Sequence, residues 1–299
     1  MARLAFLGLC IVGFISPSCA FQRSGRMEIH ADNWQRSVQN DSPLSDKFPI
    51  EWVHVPKTGS SFLKTLVLIP GVCQNVPEDI GEGYFNTASL MTVVLEEQWK
   101  CNTSRLDTSL ARLQHGGIDF KPGFEAGKGR FMTMMRQPEQ RLISQISYEV
   151  AYGFVGLKDM PFAEHAKLKS GCVTKILTGS FATGTCSHER NLTTADVETA
   201  KIRLSTGFSF IGMTEQWDLS ICLFNTMFKL RCRSEQFQNS RPTFGNNMTL
   251  YDTALLNGYR DPYDTELFAI GTKIFQANLK KYNVSESSCE SCWREAGLL

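Results

Sequence analysis

Three stretches of this chain carry side chains suited to a multiply charged anion and a hydroxyl group. Lys57 lies in Pro56-Lys57-Thr58-Gly59-Ser60-Ser61, where one cation stands beside a glycine and three hydroxyls. Glycine lets a backbone approach a ligand closely, and backbone N–H groups leading into a helix favour negative charge. The ligand predicted by this pattern is a phosphate or a sulfate. Arg136 opens a second stretch, Arg136-Gln137-Pro138-Glu139-Gln140-Arg141, with Ser144 and Tyr148 following at helical spacing. The fork of an arginine gives paired, charge-assisted hydrogen bonds to phosphate oxygens, and Ser144 adds a neutral donor. Between these two stretches comes His115, in the turn Gln114-His115-Gly116-Gly117. Histidine is the residue type best suited to taking a proton from a hydroxyl near neutral pH, and Asp119 stands ready to orient or replace it.

The elements that must position these groups can be read from hydrophobic spacing. The residues from Glu51 to Val55 alternate and are β-prone, and Phe62, Leu63, Leu66 and Val67 recur at helical spacing, which predicts strand, tight loop and helix around Lys57. A buried strand runs up to Arg136, with Pro138 near the start of the next helix. Phe208 to Met213 reads as a third buried strand, followed by an apolar helix carrying Trp217, Leu219, Ile221, Leu223, Phe224 and Phe228. Asp261 to Phe268 starts a helix bearing Ile270, Ile274 and Phe275. Further helices are predicted over about 89–99 and from Ser104 through Leu106, Leu110 and Leu113.

The order of residues at the first loop narrows the chemistry. A Walker A loop places lysine after glycine, as Gly-Lys-Ser/Thr, whereas here Lys57 precedes Gly59, so an ordinary ATP site is disfavoured. A hydrophobic strand followed by Pro56-Lys57-Thr58-Gly59-Ser60-Ser61 resembles the 5′-phosphosulfate loop of sulfotransferases that use 3′-phosphoadenosine 5′-phosphosulfate (PAPS). The resemblance is to the Golgi carbohydrate O-sulfotransferases, the heparan sulfate/uronyl 2-O-like superfamily. Arg136-x-Pro138-x-x-Arg141-x-x-Ser144 is similar to their 3′-phosphate segment at every fixed position, and Gly212-x-Thr214-Glu215 also resembles the family. The surroundings of His115 resemble the segment bearing the family's base, although Gln114 replaces a glycine there.

This resemblance covers roughly residues 49–282. It implies an α/β fold of P-loop-like, three-layer type, with a central, mainly parallel sheet flanked by helices. It implies PAPS as co-substrate, with Pro56, Lys57, Thr58, Gly59, Ser60 and Ser61 around the 5′-phosphosulfate and Arg136 with Ser144 on the 3′-phosphate. Lys57 would stabilise the leaving phosphate and His115 would act as base. Glu215 is assigned to packing, and a buried hydrogen-bonded role is expected for His54. His165 and His188 are placed near an acceptor cleft. The acceptor implied is a glycan or polysaccharide hydroxyl, and no metal is expected. Two alternatives stay open: a P-loop kinase-like phosphotransferase, and a catalytically silent glycan-binding protein on the same fold.

The remaining features bound the setting. Arg3, an apolar run from Leu4 to Ile15 and Ser16-Pro17-Ser18-Cys19-Ala20 predict a signal peptide over 1–20, too short to span a bilayer unless it serves as a short signal anchor. Phe21 after the small residues also suits a plastid leader. Residues 21–47 read as a stem, 48–285 as the sulfotransferase-like domain and 286–299 as a cysteine-containing tail. Of ten cysteines, Cys10 and Cys19 fall in the leader. Among the others, short separations suggest Cys172 with Cys186 and Cys222 with Cys232, leaving Cys73 with Cys101 and Cys289 with Cys292. Sequons at Asn40, Asn102, Asn191, Asn247 and Asn283 fit the same export route. With 31 basic against 30 acidic residues, no bulk nucleic-acid signature exists, and an acidic substrate must be met by a local patch. Lys158, Lys167, Lys169 and Lys175 make one stretch locally basic, suited to a polyanionic glycan or to a solvated face.

Overall fold

Three short, wholly buried runs pair into one sheet. They are β1 (Glu51–Trp52), β2 (Phe131–Met135) and β3 (Phe208–Met213), all parallel in the order β1-β2-β3. The computed structural model describes residues 42–78, 80, 88–109, 113, 115–118, 123–151, 153, 159–179, 186, 191–239 and 251–299. The leader, the stem to residue 41, Gln114, Asp119, Lys158, His188, Asn247 and its neighbour Asn246 lie outside them. So do the sequon at Asn40 and residue Leu110.

Parallel strands need crossovers on the sheet faces, and helices supply them. Phe210 stacks on Phe62 at 5.4 Å and meets Phe224 edge-on at 5.0 Å, which puts helices Phe62–Val67 and Trp217–Phe228 on one face. Met135 and Met213 point the other way, against Gly271 of helix Asp264–Lys281, where an added Cβ would lie 2.3 Å from the Met135 sulfur. The chain is therefore α/β, with an open parallel sheet between helical layers. A one-residue irregularity pairs Phe131 with Phe208 but Met132 with Phe210. The extra residue, Ser209, donates its hydroxyl to the Phe131 carbonyl at 3.1 Å, and the slip turns Phe208 toward Phe131.

The first part of the helix expected from Ser104, residues 104–109, is not helical, whereas Leu113 is, its amide donating to the Ser109 carbonyl at 3.1 Å. Leu106 forms a parallel bridge with Ile50 beside β1, and the Asn102 and Asp107 side chains accept from the amides of Ser104 and Ser109. Those two local turns satisfy backbone groups that a helix would have used. The helix expected over 89–99 is present as Ala88–Val93 and continues as a π-type turn over Val94–Gln98. Ahead of residue 48, Leu44–Lys47 forms a 3-10 turn with Lys47 buried, so these residues belong with the domain and not with a stem. At the other end the expected tail contains a helix, Glu286–Glu295.

Two disulfides hold that last helix and correct the expected pairing. Cys73–Cys101 and Cys172–Cys186 are as expected, but Cys222 pairs with Cys289 and Cys232 with Cys292. Cys289 and Cys292 fall three apart on one helix and so share the face that packs on helix Trp217–Phe228. Each therefore reaches across to the body of the protein. No helix among the described residues is long and apolar enough to cross a membrane. The four disulfides among those residues are compatible with a secretory-pathway protein.

Charged groups expected on a glycan-facing or solvated stretch are instead buried. Glu149 accepts from His165 at 2.9 Å and pairs with Lys169 at 3.0 Å, and all three are buried. Lys175 donates to the Cys186 carbonyl at 3.2 Å. Neither Lys169 nor Lys175 forms a glycan-facing patch, and His165 lines no cleft. Lys167 alone of the described lysines in that stretch is exposed, beside Glu164. Asp261 and Asp264 anchor helix Cys172–Leu177 from across the fold, accepting from the amides of Gly171, Val173 and Thr174.

Burial, and then the nearby Asp261 charge, push the Asp264 carboxyl up to about 6 from its ordinary 3.8, against the pull of Arg141 and of the Thr174 and Val173 amides. The folded chain thus holds this proton more tightly than the unfolded chain. The resulting stabilisation is complete below about pH 3.8 and is lost as pH rises through about 6. It is expected to amount to on the order of 3 kcal/mol. Urea unfolding of wild type and Asp264→Asn at several pH values between about 4 and 7 checks this; parallel pH profiles would exclude Asp264 as the source.

Candidate functional site

The C-terminal ends of all three strands deliver polar loops to one place. After β1 the extended chain runs on through Val53, whose amide donates to the Met132 carbonyl at 2.9 Å, to the Pro56-Lys57 turn. Lys57 takes a left-handed conformation with φ 65° and Gly59 one with φ 101°. The amide of Phe62 then closes on Gly59 O at 3.0 Å and helix Phe62–Val67 begins. The Thr58 side chain is turned inward, its hydroxyl donating to the Val55 carbonyl at 2.9 Å. Thr58 therefore shapes the turn from inside. Ser61 is also buried, whereas Lys57, Gly59 and Ser60 are half-exposed on the open side.

The three loops are tied to one another by hydrogen bonds. Arg136, which follows β2, directs Nη1 at the Lys57 carbonyl at 3.4 Å. Thr214, which follows β3, donates from one hydroxyl to both the Thr58 carbonyl at 2.6 Å and the Met135 carbonyl at 3.0 Å. Glu215 does not pack in the core: it is exposed and accepts from the Gln137 amide at 2.8 Å. Trp217 closes the back of the turn, and its indole N–H is held by the Gln236 carbonyl at 3.0 Å.

Gly59 is where this closure is tightest. A Cβ there would stand 2.6 Å from Trp217 Cζ3, on a backbone conformation that L-residues rarely adopt. Gly59→Ala is expected to cost about 1–3 kcal/mol and to push the Lys57 turn outward. Thermal unfolding together with anion affinity tests this; a variant unchanged in both would mean that Trp217 yields without disturbing the turn.

Each cation of the cluster lies on an aromatic ring. Lys57 Nζ is 4.4 Å from the centre of Tyr148, on helix Pro138–Ala151, and Arg136 Cζ is 5.1 Å from the centre of Tyr251. Burial, with a smaller push from Arg141, holds the Arg136 guanidinium below its ordinary range, partly offset by Tyr251 and Glu215. A half-buried guanidinium gains more from an anionic ligand than one in water. Ser144 is on the same helix as Tyr148 but only 2% exposed, with the Tyr251 hydroxyl 3.4 Å from its Oγ. Arg141 is fully buried and is spent inside the protein on Gln145 and the Lys169 carbonyl. It is a support for this helix, not a ligand contact.

His115 is half-buried with φ 65°, in the left-handed region. Its ring lies 4.3 Å from that of His54, which stacks at 4.0 Å on Trp52 of β1. His54 itself is buried and faces the Leu113 carbonyl at 3.4 Å, in line with a hydrogen-bonded structural role. This stack places His115 alongside the strand that leads into the Lys57 turn. Gly117 fits closely against Gly179, and the Ile118 amide reaches the Ile176 carbonyl at 2.9 Å, which fixes the His115 turn on helix Cys172–Leu177.

Tyr251 has no counterpart among the residues singled out by motif. Its link to the site runs through Gln140, more than a hundred positions earlier in the chain, and no local pattern carries that signal. Among the described residues no group of His, Cys, Asp and Glu is arranged to hold a metal ion.

Fold and site together define an α/β protein whose parallel sheet gathers a basic, hydroxyl-rich cluster at its C-terminal edge, where open sheets of this kind bind ligands. No family model, no curated protein and no solved structure matches the chain.

Proposed function

We propose that this chain is a PAPS-dependent O-sulfotransferase that transfers a sulfuryl group to a carbohydrate hydroxyl in the secretory pathway, in the Golgi lumen. The observation that carries this reading is the meeting of the Lys57 turn with Arg136 through a 3.4 Å hydrogen bond, both linked to the third strand by Thr214. Two separate anion-binding segments are thereby close enough for one nucleotide bearing a phosphate at each end. The Gly59-centred turn offers the close backbone approach that such a ligand needs, and a P-loop-like assignment of the fold rests on the same turn.

The chemistry follows from the residues. The acceptor hydroxyl oxygen attacks sulfur, the bond from sulfur to the bridging oxygen breaks, and that oxygen leaves with the electron pair on the 5′-phosphate. Lys57 is the cation at hand for the charge that develops there, and positioning with electrostatics supplies most of the acceleration. His115 accepts the hydroxyl proton, a role worth about 100- to 10,000-fold in rate. Arg136, with Ser144, holds the 3′-phosphate, while Pro56 and Thr58 to Ser61 frame the phosphosulfate.

Transfer of labelled sulfate from PAPS to a panel of glycans, with and without prior sulfation, tests the reading. Label in a glycan product supports it. Preference for ATP would replace it with a phosphotransferase, and PAPS binding without any product would replace it with a glycan-binding protein.

A further inference from the structure

Tyr251 comes to Arg136 and Ser144, which share one segment, from more than a hundred positions further along the chain, and it touches both side chains. Resting on the nucleotide reading above, we infer that Tyr251 is a third donor to the 3′-phosphate, its hydroxyl binding the same anion as Arg136 and Ser144. The Tyr251 hydroxyl lies 3.4 Å from Ser144 Oγ and its ring lies on the Arg136 guanidinium, 5.1 Å from Cζ. Ser144 is nearly sealed, and the phenol lies against its hydroxyl. A hydroxyl pair at 3.4 Å is long and weak; the serine hydrogen can turn about its C–O bond, and the phenol hydrogen can take either of two positions in the ring plane. An ionised phosphate oxygen is the stronger acceptor for each of them.

The placement of Tyr251 is built, because its main chain is clamped from both sides by one side chain. Gln140 Nε2 donates to the Tyr251 carbonyl at 2.9 Å, and the Tyr251 amide donates to Gln140 Oε1 at 2.6 Å. Gln140 stands one helical turn before Ser144, so the phenol and the serine are referred to the same helix, Pro138–Ala151. So placed, Tyr251 discriminates among ligands, favouring nucleotides that carry a 3′-phosphomonoester over those that lack it. Tyr251→Phe keeps the clamp, which uses only main-chain atoms of residue 251, and keeps the ring on Arg136; it removes only the phenol oxygen, with its contacts to Ser144 and to the Arg136 side chain.

The experiment measures the binding of adenosine 3′,5′-bisphosphate and of adenosine 5′-monophosphate to the full chain, as wild type, Tyr251→Phe and Ser144→Ala. Wild type is expected to prefer the bisphosphate. Tyr251→Phe is expected to weaken bisphosphate binding about tenfold while leaving the monophosphate unchanged, as loss of one hydrogen bond to a charged group would. Ser144→Ala is expected to act in the same direction. Unchanged or tighter bisphosphate binding by Tyr251→Phe overturns the inference and makes the phenol an occupant that the ligand displaces. Equal losses for both nucleotides overturn it too, since they mark a purely structural role. A wild-type protein without preference for the bisphosphate fails at an earlier stage, removing the nucleotide reading and this assignment together.

Discussion

Lys57→Ala is expected to lower sulfate transfer at least about 1,000-fold while the protein stays folded. The size follows from the proposed role of the side chain. A fixed cation at the oxygen where charge develops is among the largest single contributions to a transfer reaction. The fold should tolerate the change because the bond from Arg136 is to the Lys57 main-chain carbonyl, which alanine keeps. Its side chain is half-exposed and its ammonium lies on the Tyr148 ring at 4.4 Å, a contact worth about 1 kcal/mol or less at an exposed site. Its left-handed backbone is equally awkward for lysine and alanine, so the strain at φ 65° is the same in both. Initial rates with labelled PAPS, set beside circular dichroism and thermal unfolding, decide the matter. Retained turnover in a folded variant would remove Lys57 from the chemistry.

Removing the Cys222–Cys289 bridge is expected to cost about 3 kcal/mol of stability, by the loop-entropy account of disulfides. The neighbouring Cys232–Cys292 bridge already closes most of the same span, so the loss releases only the short ring that runs from Cys222 to Cys232 and from Cys289 to Cys292. Both sulfurs are buried, and a double change to alanine also leaves small voids in the contact between helices Trp217–Phe228 and Glu286–Glu295. Denaturant unfolding of the oxidised double variant, with non-reducing peptide mapping of the wild type, gives the test. A peptide joining Cys289 to Cys292, or a loss near zero, would contradict the observed pairing.

What could be read in the sequence, and what could not, divides along the range of the interactions. The strands at Glu51, Phe131 and Phe208 and the helices after them declare themselves through apolar spacing, because burial on a sheet face is written in consecutive residues. The approach of Lys57 to Arg136 is foreshadowed by the order of two local motifs. Leu106 reads as helical because its apolar spacing outweighs the side-chain caps at Asn102 and Asp107 that in fact turn the chain into a bridge with Ile50. Lys169, Lys175 and His165 look like surface charges because a sequence shows each charge without its partner, and Glu149 and the Cys186 carbonyl come from other elements. The cysteine pairing fails for the same reason: proximity along the chain favours Cys232 for Cys222, whereas helix packing favours Cys289. Tyr251 is invisible until Gln140 is seen to grip it.

The double staple on the final helix sets a rule for anyone shortening this chain. A form cut at residue 285, the boundary that sequence alone suggests, would leave Cys222 and Cys232 as mateless thiols. In an oxidising compartment such thiols seek each other or a neighbouring molecule, so trimmed material should be sought as scrambled or cross-linked species before it is judged inactive.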